Sequence, residues 1–242
     1  MHRMSDSEIS DLIDSYRPNE EGVQLLRNTT VVLVVGITGA GKNTILDKLL
    51  QTGGFYDMIT SVTRQPRVNN GVMEKDGIDY YFLSEEQAIN KIKAGDYVEV
   101  SPVHKRIYGV TVDEVRKAHD TDKTAIADVT VLGVEKYKKI SDDVIAIFVL
   151  PPSFEEWQRR MRLRFDSEEA FMEDWPNRRE SAIMELRKAL SEPYYHFVIN
   201  ENVDDAVEAC QKIINSGNVF HRKDEQMREL AQNLLDSIIS NA

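Results

Sequence analysis

The chain is poor in the features that would place it outside the cell, in a membrane or on nucleic acid. Its single cysteine, Cys210, leaves no pair for an intrachain disulfide. A reducing, cytoplasmic setting is therefore expected, with Cys210 as an apolar residue on the buried face of a helix. The longest apolar runs are of strand length, too short to span a bilayer. The first ten residues, MHRMSDSEIS, lack the apolar core of a secretory leader. The sequon Asn28-Thr29-Thr30 would then go unused. Basic residues are the minority, 30 against 41 acidic ones, for a net charge of −11. That balance argues against a nucleic-acid partner but leaves room for a local phosphate pocket. The five histidines, at 2, 104, 119, 196 and 221, show no ligand spacing, so no metal cluster is expected. No internal repeat or low-complexity tract is present.

What is present reads as α/β. Four runs lack a polar face or nearly so: TTVVLVV (29–35), TAIADV (124–129), VIAIFVL (144–150) and YYHFVIN (194–200). Such runs suit strands buried on both faces of a parallel sheet. Helical spacing appears at 5–17, 43–51, 111–119, 153–163, 177–190 and 203–215. Strands alternating with helices predict a central parallel sheet flanked by helices, with right-handed crossovers. Residues 55–110 break the rhythm with short alternating segments and read as a small mixed β insert. Residues 164–178 are charged, contain Pro176 and read as a mobile lid. From 221 onward, Met227, Leu230, Ala231, Leu234, Leu235, Ile238 and Ile239 draw an apolar stripe at helical spacing. Packing of that helix on its own domain is preferred over a homodimer through the terminal helices.

The stretch VVLVVGITGAGKNT (31–44) carries the first chemistry. Gly36, Gly39 and Gly41 permit a tight turn whose N–H groups point at one spot. The helix beginning near Lys42 aims its positive end there, and Lys42 adds a full charge for β and γ phosphates. The spacing fits G-x-x-x-x-G-K-[ST] except at the last position, where Asn43 stands. An amide oxygen is still a neutral Mg²⁺ ligand, though set one bond further out than a serine hydroxyl.

Further motifs follow in a fixed order: SVTRQPR (61–67), DGIDYYF (76–82), Glu99, YGV (108–110) and FVLPPSFEEWQRRMRLR (148–164). With the loop they resemble guanylate kinases over roughly residues 31–215. The resemblance implies a P-loop kinase core, a monophosphate-binding insert at about 55–110 and a helical lid at about 164–178. It frames the chain as an N-terminal helical extension (1–29), a guanylate-kinase-like domain (30–215) and a C-terminal amphipathic helix (216–242). It implies ATP as phosphoryl donor, Mg²⁺, and GMP or a related monophosphate as acceptor.

Site residues follow from that likeness and from their chemistry. Gly36, Thr38, Gly39, Ala40, Gly41, Lys42, Asn43 and Thr44 would hold ATP, with Asn200 at the adenine. Arg64 and Arg67, stiffened by Pro66, would clamp the acceptor phosphate with the Tyr80 and Tyr108 hydroxyls. Glu99 offers two acceptor oxygens to the two donors on the guanine edge, and Thr60 could donate to O6. Arg160 and Arg164 lie four apart on one helix face. With Arg178 and Lys42 they would neutralise the transferring phosphoryl group. Asn43, and Asp128 through water, would hold the metal. Three positions depart from the family pattern: Asn43, Val110, and Thr130, which replaces an acid that helps bind guanine. The expected activity is phosphoryl transfer from ATP to a nucleoside monophosphate, GMP first. The alternatives are a kinase for another phosphorylated acceptor and a non-catalytic guanylate-kinase-like module that binds a protein.

Overall fold

The computed structural model describes residues 5–69, 71–103, 106–217, 219–220 and 222–241. Histidines 2, 104 and 221 and the first four residues lie outside them. In chain order the elements begin with α1 (Asp6–Asp14), α2 (Glu20–Asn28), β1 (Val31–Gly36), α3 (Lys42–Gln51) and β2 (Phe55–Asp57). Next come β3 (Ser61–Val62), β4 (Val68–Asn69), β5 (Val72–Met73), β6 (Tyr81–Phe82), α4 (Glu85–Ala94), β7 (Tyr97–Val103) and β8 (Arg106–Thr111). Then follow α5 (Val112–Asp120), β9 (Thr124–Asp128), α6 (Val131–Lys138), β10 (Ile145–Leu150) and α7 (Phe154–Arg162). The chain closes with α8 (Glu168–Ser191), β11 (Tyr195–Ile199), α9 (Val203–Asn215) and α10 (Arg222–Ser240). The parallel sheet has strand order β11-β10-β1-β9-β2, and a separate mixed sheet has order β6-β3-β8-β7. The α/β class predicted from the apolar runs is the one observed.

Two compact units divide the chain. The first comprises the described residues of Met1–Val31, Phe55–Ala127 and Glu135–Asp142. In it, β3 runs parallel to β6 and antiparallel to β8, and β7 pairs antiparallel with β8. Ile13 of α1 and Ala88 and Ile92 of α4 pack with Tyr97, Val100 and Ile107 of that sheet. The Tyr16 hydroxyl accepts from the Tyr97 N–H at 2.7 Å, which ties the end of α1 to β7. Helix α2 lies within the expected helical extension, though no helical spacing marks it. Its apolar positions are few, and it carries Gly22 inside, a poor helix former. The glycine is needed there because a Cβ would lie 2.7 Å from Val112 Cγ2 on α5.

The second unit comprises Val32–Gly54, Asp128–Val134 and the described residues of Asp143–Ala242. Its strands β1, β10 and β11 run parallel, with Leu33 opposite Ala146 and Phe148 opposite Phe197. Every residue of β1 and β10 is buried, as runs without a polar face require. The predicted helix at 177–190 begins earlier, at Glu168, and runs through Pro176. Ser167 caps its start by accepting from the Ala170 N–H at 3.2 Å. Phe171, Trp175, Ala182, Leu186 and Ala189 give it a continuous buried stripe that offsets the hydrogen bond lost at the proline. Helix α10 packs on α8 and β11. Ala231, Leu234, Leu235 and Ile238 of its stripe are buried there. Arg228 donates to the carbonyls of Leu190 and Glu192, both at 2.8 Å, and so closes the end of α8. Among the described residues no helix is long and apolar enough to cross a membrane.

Candidate active site

The phosphate loop sits in the second unit, between β1 and α3. Gly36, Gly39 and Gly41 have φ of 149°, 87° and 92°, a region that side chains rarely enter. Space forbids side chains as well. A Cβ on Gly36 would lie 2.3 Å from the Val149 carbonyl oxygen, and one on Gly41 would lie 2.2 Å from Asn200 Nδ2. Lys42 Nζ donates to the Gly36 carbonyl at 2.6 Å. Trp157 Nε1 on α7 donates to the Thr38 carbonyl at 2.7 Å. Asn200 Nδ2 donates to the Ala40 carbonyl at 2.8 Å. Three alternate carbonyls are thus drawn to protein donors, while among the loop's amides that of Ala40 donates to the Ile37 carbonyl at 3.1 Å. Asn43 and Thr44 are exposed on the first turn of α3.

Arg160 lies beside the same loop. Its Nε donates to Glu156 at 2.7 Å, and its terminal nitrogens donate to the Asn200 and Ala40 carbonyls at 2.9 and 3.4 Å. Arg164 and Arg178 are exposed, and Arg178 pairs with Asp174 at 2.6 Å. Asp128 is the exposed residue that ends β9, where partial loss of hydration raises its carboxyl above the usual range, against the pull of Lys42. Glu185 on α8 belongs to this group although no motif marked it. Burial first, and the charge of Asp128 after it, push its carboxyl up to about 7, with Lys42 again opposing.

Of the residues expected at the acceptor, all but Thr130 belong to the first unit. The Arg64 guanidinium lies over the Tyr80 ring at 4.8 Å and the Phe82 ring at 5.6 Å. Its Nε donates to the Tyr108 hydroxyl at 3.3 Å. Tyr80 and Tyr108 meet edge to face with centroids 6.3 Å apart. Arg67 is exposed. Glu74 is a partner that the motifs did not disclose: it binds Arg64 through two hydrogen bonds, at 2.5 and 2.8 Å. Arg64 holds that carboxyl below the usual range.

Glu99 on β7 is 7% exposed. One of its oxygens already accepts from the Ser101 hydroxyl. Lys136 on α6 donates to the Ser101 Oγ at 2.8 Å and to the Val100 carbonyl, and lies 3.7 Å from the Glu99 carboxylate. Burial raises the Glu99 carboxyl, while Ser101 and Lys136 lower it. Tyr137 Oη is buried and has no hydrogen-bond partner among the described residues. Thr60 is half-buried. Thr130 is exposed at the start of α6, where its Oγ1 accepts from the Gly133 N–H at 3.1 Å. Val110 is buried in β8.

Comparison with known proteins agrees with this geometry. A family model described as guanylate kinase matches residues 27–217. The guanylate kinase of Clostridium tetani is 34% identical over 187 residues, 77% of this chain and 85% of that one. The guanylate kinase of Clostridium perfringens strain 13 is 32% identical over 210 residues, 82% of this chain and 93% of that one. In fold, the chain is similar to the crystal structure of guanylate kinase from Anaplasma phagocytophilum, with a TM-score of 0.58 and 24% identity over 80% of this chain and 89% of that one. The loop, the arginine-bearing segments and these matches together show that the chain belongs to the guanylate kinase family.

Proposed function

We propose that the chain transfers the terminal phosphoryl group of ATP to GMP, yielding ADP and GDP. One observation carries this reading. A single chain holds a phosphate loop with its carbonyls tied back and, separately, an arginine braced on aromatic rings with a tyrosine hydroxyl at its edge. Two sets of phosphate-handling groups suit a reaction that joins two phosphorylated substrates. A protein-binding module has no use for Lys42 and its loop.

In this reading the loop amides and Lys42 bind the β and γ phosphates. Arg64, Arg67, Tyr80 and Tyr108 hold the acceptor phosphate, and Glu99 accepts from the guanine edge. An acceptor phosphate oxygen attacks the γ phosphorus, and the bond from that phosphorus to the β–γ bridging oxygen breaks. No protein nucleophile is required, because positioning and electrostatics supply the rate. Arg160, Arg164 and Arg178 place positive charge near the transferring group. Asn43 and Asp128, both exposed, offer an amide and a carboxylate oxygen of the kind Mg²⁺ takes, and would hold it, Asp128 through water. Such ions take one or two carboxylates together with substrate phosphates and water. Mg²⁺ bound there would neutralise charge across the β and γ phosphates.

The test is Mg²⁺-dependent formation of ADP across a panel of nucleoside monophosphates. GMP should be the best acceptor. Lys42→Ala should remove most of the turnover while leaving the circular dichroism spectrum unchanged. A wild-type chain inactive with every monophosphate would overturn the proposal.

A further inference from the structure

The arginine assigned to the acceptor phosphate already holds a carboxylate. Glu74 binds both terminal nitrogens of Arg64, one oxygen to each. The same carboxylate accepts the Arg67 main-chain N–H at 2.9 Å, and the Glu74 N–H returns a bond to the Arg67 carbonyl at 2.9 Å. Between these two bonds lies the β4–β5 hairpin. Glu74 therefore closes the base of that hairpin and links the two arginine positions at once. The Arg64 and Glu74 side chains are only 10% and 8% exposed, so this is no solvated surface pair.

We propose that Glu74 is a positioning residue for the acceptor phosphate, holding the Arg64 guanidinium at a fixed orientation. The assignment rests on the functional reading given above. A guanidinium has five N–H bonds. In Arg64, Nε serves Tyr108, one terminal nitrogen serves Glu74 and the Gln65 carbonyl, and the other serves Glu74. One N–H remains for an incoming oxygen, beside the Tyr108 hydroxyl and above the Tyr80 ring. The ring fixes the plane of the guanidinium and Glu74 fixes its rotation within that plane. A phosphate then meets a donor that is already ordered, and binding does not have to freeze a long side chain. The opposite role, a tethered anion that phosphate must expel, makes the opposite prediction. Removing such a competitor would tighten the acceptor.

Glu74→Gln keeps the shape but leaves one acceptor oxygen in place of two. Its GMP KM should rise about tenfold, as for loss of one charge-assisted hydrogen bond, with kcat within about threefold and the ATP KM unchanged. Glu74→Asp, which keeps the charge, should recover part of the loss. Calorimetry separates the phosphate from the base: Glu74→Gln should weaken GMP but leave guanosine as in wild type. Melting curves verify that the variants are folded. An unchanged or lower GMP KM in a folded Glu74→Gln would overturn the assignment. So would equal losses for GMP and guanosine, which would mark a merely structural role. A wild-type chain that neither binds nor phosphorylates GMP would instead overturn the functional reading, and the assignment with it.

Discussion

Replacing Trp157 with phenylalanine separates the support of the phosphate loop from the chemistry it performs. Trp157 is fully buried. Its ring centroid lies 4.8 Å from that of Trp175 and 6.2 Å from that of Phe154, and its indole N–H reaches the Thr38 carbonyl at 2.7 Å. Phenylalanine keeps an aromatic body but removes the donor and part of the volume. Thr38 is half-buried, so its orphaned carbonyl costs about 1–2 kcal/mol, the lower part of the range for a lost buried partner. The space left by the smaller ring adds about 1–2 kcal/mol, a fraction of a full Trp→Ala truncation. The sum is about 2–4 kcal/mol, or a melting temperature lower by roughly 5–15 °C for a chain of this size. The released carbonyl can also turn toward the space that an anion would fill, so the ATP KM should rise about fivefold or more while the GMP KM holds. Urea unfolding followed by circular dichroism gives the first quantity, and steady-state kinetics gives the second. A loss below about 1 kcal/mol together with an unchanged ATP KM would refute the claim that Trp157 props the loop.

Three further outcomes follow from the same geometry. Asn43→Ser brings an oxygen closer to the backbone, so the Mg²⁺ concentration for half-maximal rate should fall; a titration of rate against Mg²⁺ that is unmoved or shifted upward would show that Asn43 is already a suitable ligand. Lys136→Met removes the cation 3.7 Å from the buried Glu99, so the Glu99 carboxyl should rise further and the acid-side increase in GMP KM should move to higher pH, read from a pH–KM profile. Glu185, with its carboxyl at about 7, binds its proton more tightly folded than unfolded; stability should therefore fall as pH rises from about 4.5 to about 7. Glu185→Gln should flatten that fall and stabilise the chain at pH 8 by on the order of 2–3 kcal/mol, measured by urea unfolding across pH.

The parts legible in the sequence were those written in one continuous stretch. Strands β1, β9, β10 and β11 were plain because each is an apolar run bounded by polar residues or turns. The phosphate loop was plain because its glycines and Lys42 stand at fixed spacing. Strand β2 was missed: three residues are too few to show a pattern, and only its pairing with β9 makes it a strand. Helix α6 is short and carries Gly133, so its periodicity was faint. Pro176 read as a break in what is one helix, because the stripe that holds α8 together lies on both sides of it. The missing site residues are all partners brought in by tertiary structure. Trp157 is 119 residues from Thr38. Lys136 is 35 residues from Ser101. Local spacing carries no trace of such pairings. Glu74 was nearer, ten residues from Arg64. It hid in the extra residues between two motifs.

The aromatic cluster of Phe154, Trp157, Phe171 and Trp175 has an optical consequence. The chain contains two tryptophans, and both belong to this cluster. All indole fluorescence therefore originates in one unit, from two rings close enough to exchange excitation, one of them bonded to the phosphate loop. A nucleotide that settles on the loop is expected to change that emission. The residues around Arg64 and Glu99 contain no indole. The unmodified chain thus carries a reporter of donor binding that needs no label, and titrating each substrate against intrinsic fluorescence assigns any signal to the loop's own unit.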